Sequence, residues 1–291
     1  MASSANPMQG QVCMVTGATS GIGLVTAQAL AHQGATVIVA ARNPQRGTAT
    51  VNRIKQETGN PAVECMIADL SAQAQVRQLA RAFQERFARL DVLVNNAGAL
   101  FARRSLSVDG IEMTFALNHL AYFLLTNLLL DTLKASAPAR VVNVASRAHQ
   151  GAWINFADLQ GQQGYKGWRA YAQSKLADIL FTYELARRLE GTGVTANALH
   201  PGFVATNFGR NNAGIIGLII RVSQLAAISP EQGAQTVIYL ATAPELEGIS
   251  GKYFAKKQVV PSSEASYDRD AAQRLWQVSA EMTGLSSFGV H

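Results

Sequence analysis

Tyr171 and Lys175 stand four residues apart in the run Tyr171-Ala172-Gln173-Ser174-Lys175. The surrounding pattern is that of a long amphipathic helix, so this spacing stacks a phenol and an ammonium on one face. A positive charge beside a phenol favours the phenolate and lowers its pKa from an ordinary value of about 10. Such a pair can give and take protons near neutral pH. The same spacing recurs at Tyr253 and Lys257, but in a strand-like stretch where residues four apart are separated by about 13 Å. Spacing alone therefore decides little, and the elements around each pair must decide the rest.

Those elements alternate. Apolar runs at Val12–Thr16, Thr36–Ala41, Ala62–Ala68, Val92–Asn95, Arg140–Ala145, Val194–Leu199 and Lys252–Ala255 read as strands. Between them, helical patterns cover Ile22–Gln33, a stretch opened by Asn43-Pro44, Ser71–Ala88 with Ser71 as N-cap, Ile111–Ala135, Trp168–Glu190 and Pro230–Ala243. A last helix is expected over Arg269–Thr283. Gly34 ends the first helix. Short, continuously apolar strands alternating with helices predict right-handed crossovers and a parallel sheet covered on both faces. The expected fold class is α/β, a single doubly wound (Rossmann) sheet spanning residues 10–284, with flexible tails at 1–9 and 285–291. In such a sheet ligands lie outside the carboxyl ends of the strands.

The chemistry-bearing residues fall at those ends. The first strand runs into Thr16-Gly17-Ala18-Thr19-Ser20-Gly21-Ile22-Gly23. Glycines there let the backbone turn tightly and approach a pyrophosphate, while the next helix supplies N–H groups and a positive dipole. At the first strand–helix junction this spacing reads as a dinucleotide site. The second strand ends in Ala40-Ala41-Arg42, with no acid to hold ribose hydroxyls. Arg42 can grip a 2′-phosphate, so the expected cofactor is NADP(H). Asp69-Leu70 follow the third strand, where the carboxylate is a candidate partner of the adenine amine or a helix N-cap. Asn95-Asn96-Ala97-Gly98 end the fourth, small enough for a ribose to pass, with amides able to hold the turn.

Composition removes several function classes. The 291 residues are 48% hydrophobic and 15% charged, with a formal net charge of +6. The basic residues are scattered rather than blocked, which argues against nucleic acid as a partner. Cys13 and Cys65 fall in predicted buried strands and read as small core residues in a reducing compartment. The polar start, Met1 to Gly10, has no secretory h-region, and no apolar run reaches the ~20 residues needed to span a bilayer. The expected location is cytoplasmic, with any membrane contact peripheral. His32, His119, His149 and His200 show no metal-ligand spacing. His200 is expected to pack at a strand end. His149 is either structural or part of the pocket near Ser146.

Taken together, Thr16–Gly23, Asn95–Gly98, Asn118, Ser146, Tyr171/Lys175 and Pro201-Gly202 resemble the short-chain dehydrogenase/reductase family, in the expected order over Gly10 to about Gly284. Longer stretches are similar to its retinol dehydrogenase branch: Leu117-Asn118-His119-Leu120, Ser136–Val144, Gly191–Thr195 and Ser250–Phe254. The resemblance implies hydride transfer between nicotinamide and a carbonyl or alcohol carbon. It implies Tyr171 as proton donor, Ser146 as hydrogen-bond partner of the substrate oxygen, and Lys175 as holder of the nicotinamide ribose. Asn118 is implied to position a proton-relaying water. Gly17, Thr19, Ser20, Gly21, Ile22, Gly23, Arg42, Asp69, Leu70, Asn96, Ala97, Gly98, Pro201, Gly202 and Thr206 are the implied cofactor contacts. Three of the four catalytic candidates also have a structural reading: Ser146 as a cap or turn residue, Asn118 as a satisfied core amide, Lys175 as a solvated helix charge. A homo-oligomer is a further implication.

Two segments are expected to shape the substrate pocket: Arg147–Gly167, with Trp153, Phe156 and Tyr165, and Phe203–Leu225, with its apolar run Gly214–Ile220. That run reads as a core helix, a lid or a membrane-contacting segment. The expected substrate is a small lipophilic aldehyde or ketone, retinal-like, or the matching alcohol. Two rivals stand beside it: C=C reduction in a tetrapyrrole, as in protochlorophyllide reductases, and a non-catalytic NADP(H)-binding redox sensor.

Overall fold

The computed structural model describes residues 6–202 and 228–285. Its frame is one eight-stranded sheet in the order β3-β2-β1-β4-β5-β6-β7-β8. The strands are β1 (Val12–Thr16), β2 (Thr36–Ala41), β3 (Val63–Ile67), β4 (Val92–Asn95), β5 (Ala139–Val144), β6 (Val194–His200), β7 (Tyr253–Ala255) and β8 (Gln258–Val259). All neighbours are parallel except β7 and β8, an antiparallel hairpin absent from the sequence reading. The direction of winding reverses between β1 and β4, which opens a crevice at their carboxyl ends. In register, Val15 pairs with Val39 on one side and Val94 on the other.

Period-two alternation feeds two cores. Met14, Leu93 and Val141 face one layer, while Cys13, Val15, Val94 and Val142 face the other. The helices are α1 (Gly21–His32), α2 (Pro44–Thr58), α3 (Gln73–Arg86), the single turn α4 (Met113–Phe115), α5 (Ala121–Leu128), α6 (Leu130–Ala135), α7 (Gly167–Arg188), α8 (Pro230–Thr242) and α9 (Arg269–Thr283). Phe83, Phe123 and Leu133 are fully buried in the first layer, and Leu30 and Ile54 in the second. Each such side chain contributes about 1.5–3 kcal/mol relative to exposure. Asn43 caps α2 by accepting from Arg46 N at 2.8 Å, with Pro44 following it. Ser229 and Gln232 form a reciprocal capping box on α8.

Several expectations need correction. The pattern read as one helix over Ile111–Ala135 is four pieces, because a π-helical turn, Ala116–Leu120, is inserted between α4 and α5, and the chain breaks again at Leu129. This segment is buried nearly all round, so it has no one-sided apolar stripe in which the extra residue of a π turn would show as a phase shift. Helix α3 starts two residues later than expected, and neither Ser71 nor Asp69 is its N-cap. Asp69 Oδ1 instead accepts from Ser71 N and Oγ, and Gln73 N is capped by Asp109 Oδ2 at 2.9 Å. Cys65 is only half-buried, whereas Cys13 is fully buried. The tail expected up to residue 9 is anchored at its end: Met8 is buried and its N–H donates to Gln33 O. Leu285, expected in the other tail, packs against the core.

Candidate active site

At the β1–α1 junction the glycine turn is laced to the end of β4. Thr16 Oγ1 accepts from Asn96 N at 2.8 Å and from Ala97 N at 3.1 Å, and donates to Val94 O. Asn96 Nδ2 returns a bond to Thr16 O at 2.8 Å. A Cβ on Gly17 would sit 2.9 Å from Ala97 Cα, and one on Gly23 would sit 2.5 Å from Asn96 Nδ2. These two glycines thus permit the two loops to touch, a reason that sequence reading did not supply. Thr16 stands in the sequence motif without a role of its own; its hydroxyl is what ties the two loops together.

Beyond this lacing, the start of α1 is free to receive an anion. Ser20 is extended at the N-cap, its side chain makes no capping bond, and the first turn carries no acid. Thr19 and Ser20 are half-buried beside it. Arg42 is exposed at the end of β2, and the first turn of α2 is likewise free of acids and adds the exposed Arg46. The donor set of backbone N–H groups, hydroxyls and guanidiniums fits a phosphorylated dinucleotide. Asp69 is half-buried and Leu70 buried at the end of β3. Pro201 and Gly202 follow β6, and Gly202 has φ 96 with Ile228 close behind it. Thr206 and the segment Phe203–Leu225 lie outside the described residues.

Helix α7 carries the second half of the site. Its middle is buried on every side, from Tyr171 to Leu185, because α9, the π turn and the sheet all pack on it. Tyr171 is 8% exposed and its phenol shares a hydrogen bond with Ser146. Burial pushes this phenol up from its ordinary value, while Lys175 and the Ser146 bond pull it down and Asp178 pushes it up. The net direction is upward, which corrects the expectation that Lys175 leaves the phenol below its ordinary pKa: desolvation outweighs the nearby charge.

Lys175 is buried rather than solvated. Its Nζ donates to Val144 O and to Asp178 Oδ2, each at 2.9 Å. It lies 6.0 Å from the Tyr171 ring centre and 5.3 Å from that of Tyr122. Burial pulls this ammonium down, but Asp178, Tyr122 and Tyr171 push it up and prevail. A Cβ on the exposed Gly98 would lie 3.7 Å from Lys175 Nζ and 3.3 Å from Asn118 Oδ1, so a glycine keeps the approach to the ammonium open.

Ser146 follows β5 and opens the 3-10 turn Arg147–His149, accepting from Ala148 N at 3.2 Å, so its cap role and its bond to Tyr171 coexist. His149 is fully buried. Its Nε2 accepts from Ser263 N and its Nδ1 lies 2.6 Å from Ser146 O, which makes Nδ1 the protonated nitrogen. It braces the Ser146 turn rather than lining a pocket. His200 is half-buried at the end of β6, accepts from Arg147 N, and is pushed down to about 4 by burial and by Arg147 and His149.

Asn118 sits inside the π turn with no exposed surface. Its Oδ1 accepts from Ala99 N, and its Nδ2 donates to Ala99 O and to Ser174 Oγ. These three bonds clamp the β4 loop to α7. In the expected pocket wall, Tyr165 is engaged with Phe101 O, Thr114 and Glu112, and Phe156 lies under Arg274. Trp153 is exposed beneath Arg169. Sequence reading missed Trp168, 63% exposed with its ring centre 5.9 Å from that of Tyr171. Its position three residues before the tyrosine, on the same helix face, was the available signal. Among the described residues no group of side chains could hold a metal ion, and no helix is long and apolar enough to cross a membrane.

Comparison with known proteins adds three findings. The family described as short chain dehydrogenase matches residues 11–214. Human retinol dehydrogenase 13 is 46% identical over 286 residues, covering 96% of this chain and 86% of that protein. Two solved structures share the fold: an uncharacterized protein from Mycobacterium paratuberculosis (TM-score 0.78, 33% identity, 97% of this chain and 96% of that one) and the Pseudomonas aeruginosa RhlG/NADP active-site complex (TM-score 0.68, 31% identity, 86% and 96%).

Proposed function

Because this chain belongs to the short-chain dehydrogenase family, we propose that it is an NADP(H)-dependent oxidoreductase acting on an apolar aldehyde or ketone, or on the matching alcohol. The observation that carries this reading is the buried Tyr171 phenol, hydrogen-bonded to Ser146 and one helical turn from Lys175, beside the gap at Gly98. When bound, the nicotinamide supplies or accepts the hydride. In reduction, Tyr171 gives its proton to the substrate oxygen, and Ser146 donates a hydrogen bond to that oxygen as negative charge develops. Burial keeps the phenol protonated at neutral pH, which suits it to this donation. Lys175 holds the nicotinamide ribose across the Gly98 gap. Asn118 acts as a positioning residue, fixing the β4 loop against α7.

Gly17, Thr19, Ser20, Gly21, Ile22 and Gly23 cradle the diphosphate in this reading. Asp69 and Leu70 flank the adenine, Asn96, Ala97 and Gly98 border the ribose, and Pro201 and Gly202 border the nicotinamide. NADP(H) rather than NAD(H) is supported by the missing acid at the end of β2 and by Arg42, with Arg46 one helical turn away. The RhlG complex, which contains NADP, is consistent with it. A retinoid-like, apolar substrate is supported by the name of the human relative and by the exposed Trp168 beside Tyr171.

The test is a coenzyme-oxidation screen over aldehydes and ketones graded by chain length, with retinal included. NADPH-dependent turnover that becomes more efficient with apolar length is expected. Tight NADPH binding without turnover of any carbonyl would instead favour a redox sensor. A light-dependent spectral change with protochlorophyllide would favour C=C reduction.

A further inference from the structure

One turn beyond Lys175, the same face of α7 carries Asp178, a carboxylate with no exposed surface and no part in the chemistry above. Its Oδ2 accepts from Lys175 Nζ at 2.9 Å. Its Oδ1 faces His119 Nδ1 at 3.7 Å, and these two atoms have no hydrogen-bond partner among the described residues. His119 Nε2 lies 2.9 Å from Ser279 Oγ on α9. Phe115, Phe123 and Phe181 surround the imidazole, with ring centres 5.0, 6.4 and 6.2 Å away. So far from water, the field of a carboxylate reaches neighbouring groups with little screening.

An ammonium has three N–H donors in tetrahedral array. Val144 O on β5 takes one and Asp178 Oδ2 takes the second, so the direction of the third is set by these two acceptors. We propose that Asp178 is a positioning residue of the reaction: it orients the Lys175 ammonium, and its own negative charge beside that pair sets the pH range in which Tyr171 works. The proposal rests on the function assigned above. The groups facing Asp178 are Lys175 and Tyr171 on α7, His119 on the π turn with Ser279 of α9 behind it, and Tyr122 on α5. The carboxylate's negative charge pushes both Lys175 and Tyr171 up, so its removal lowers both.

The experiment measures kcat against pH for alcohol oxidation with NADP+. In this direction the rate rises with pH as Tyr171 ionises. In Asp178→Asn this rise is expected to move to lower pH, by about one unit or more. Asp178→Glu, which restores the charge, should move it back toward the wild-type position. If Asp178→Asn does not accumulate as folded protein, Asp178→Ser removes the same charge with a smaller side chain and is read in the same way. A neutral variant whose rise coincides with that of an active wild type, or shifts upward, overturns the role of Asp178 alone, whatever its kcat. A wild type without turnover of any alcohol or carbonyl overturns the assigned reaction and this role with it.

Discussion

Two tyrosines in this chain are followed four residues later by a lysine, and the two pairs have different fates. Tyr171 and Lys175 lie one turn apart in α7, both buried, with the ammonium 6.0 Å from the phenol ring centre. Tyr253 is buried in β7, but Lys257 lies in the turn to β8, exposed and at φ 64. Burial pushes both phenols up. At Tyr171 a lysine and a serine pull back, whereas the charges reaching Tyr253 come chiefly from Tyr183, Arg147 and Tyr171. A spacing thus becomes chemistry only when the element's rise per residue brings its members together and the surroundings exclude water.

The comparison is most sharply tested by removing each hydroxyl. Tyr171→Phe is expected to lower kcat about 10²- to 10⁴-fold while NADPH binding persists, and Tyr253→Phe to leave turnover near wild type. Equal steady-state rates for the two variants would break the contrast. Removing the lysines is the next test. Lys175→Met strands the Asp178 carboxylate and should lower stability by about 3–5 kcal/mol in denaturant melts. Lys257→Met should leave the unfolding midpoint in place.

The pH dependence has a definite sign. Because burial raises the Tyr171 pKa, the protonated donor persists through neutral pH. Carbonyl reduction should therefore hold its rate through neutrality and decline only in the alkaline range, while alcohol oxidation climbs there. Initial rates in both directions from pH 6 to 10 would check this, the range being about that of the ordinary His-to-Tyr interval. The smallest effect lies at the far end of the sheet. Arg42→Asp should shift the NADPH/NADH ratio of kcat/KM about 10- to 100-fold toward NADH, the range of one or two charge-assisted hydrogen bonds. An unchanged ratio would leave Arg46 or the α2 terminus as the phosphate site.

The sheet is readable in the sequence because doubly buried strands need uninterrupted apolar runs: β1, β2 and β4 fall where those runs put them. The positions of Ser146, Tyr171 and Lys175 at strand ends and on α7 follow from that register. The π turn at Asn118 does not, since a segment buried nearly all round has no apolar face whose phase an extra residue would shift. Hairpin β7–β8 is hidden because β8 has only two residues, both exposed, too few to show an alternating pattern. Asp178 was visible as the i+3 neighbour of Lys175, yet its burial depends on α9 and the π turn packing from distant parts of the chain. The direction of the Tyr171 pKa was equally out of reach, because desolvation is a property of the packed core and not of a pair of residues.

The bonds joining Thr16 to Asn96 and Ala97 make the floor of the crevice a single riveted plate. Arg42 stands off that plate, at the rim, where nothing catalytic leans on it. If Arg42 selects the coenzyme as proposed, that choice can be recut by substitution at the rim without loosening the reaction centre. An evolving lineage, or a protein engineer, is free to exchange one without renegotiating the other.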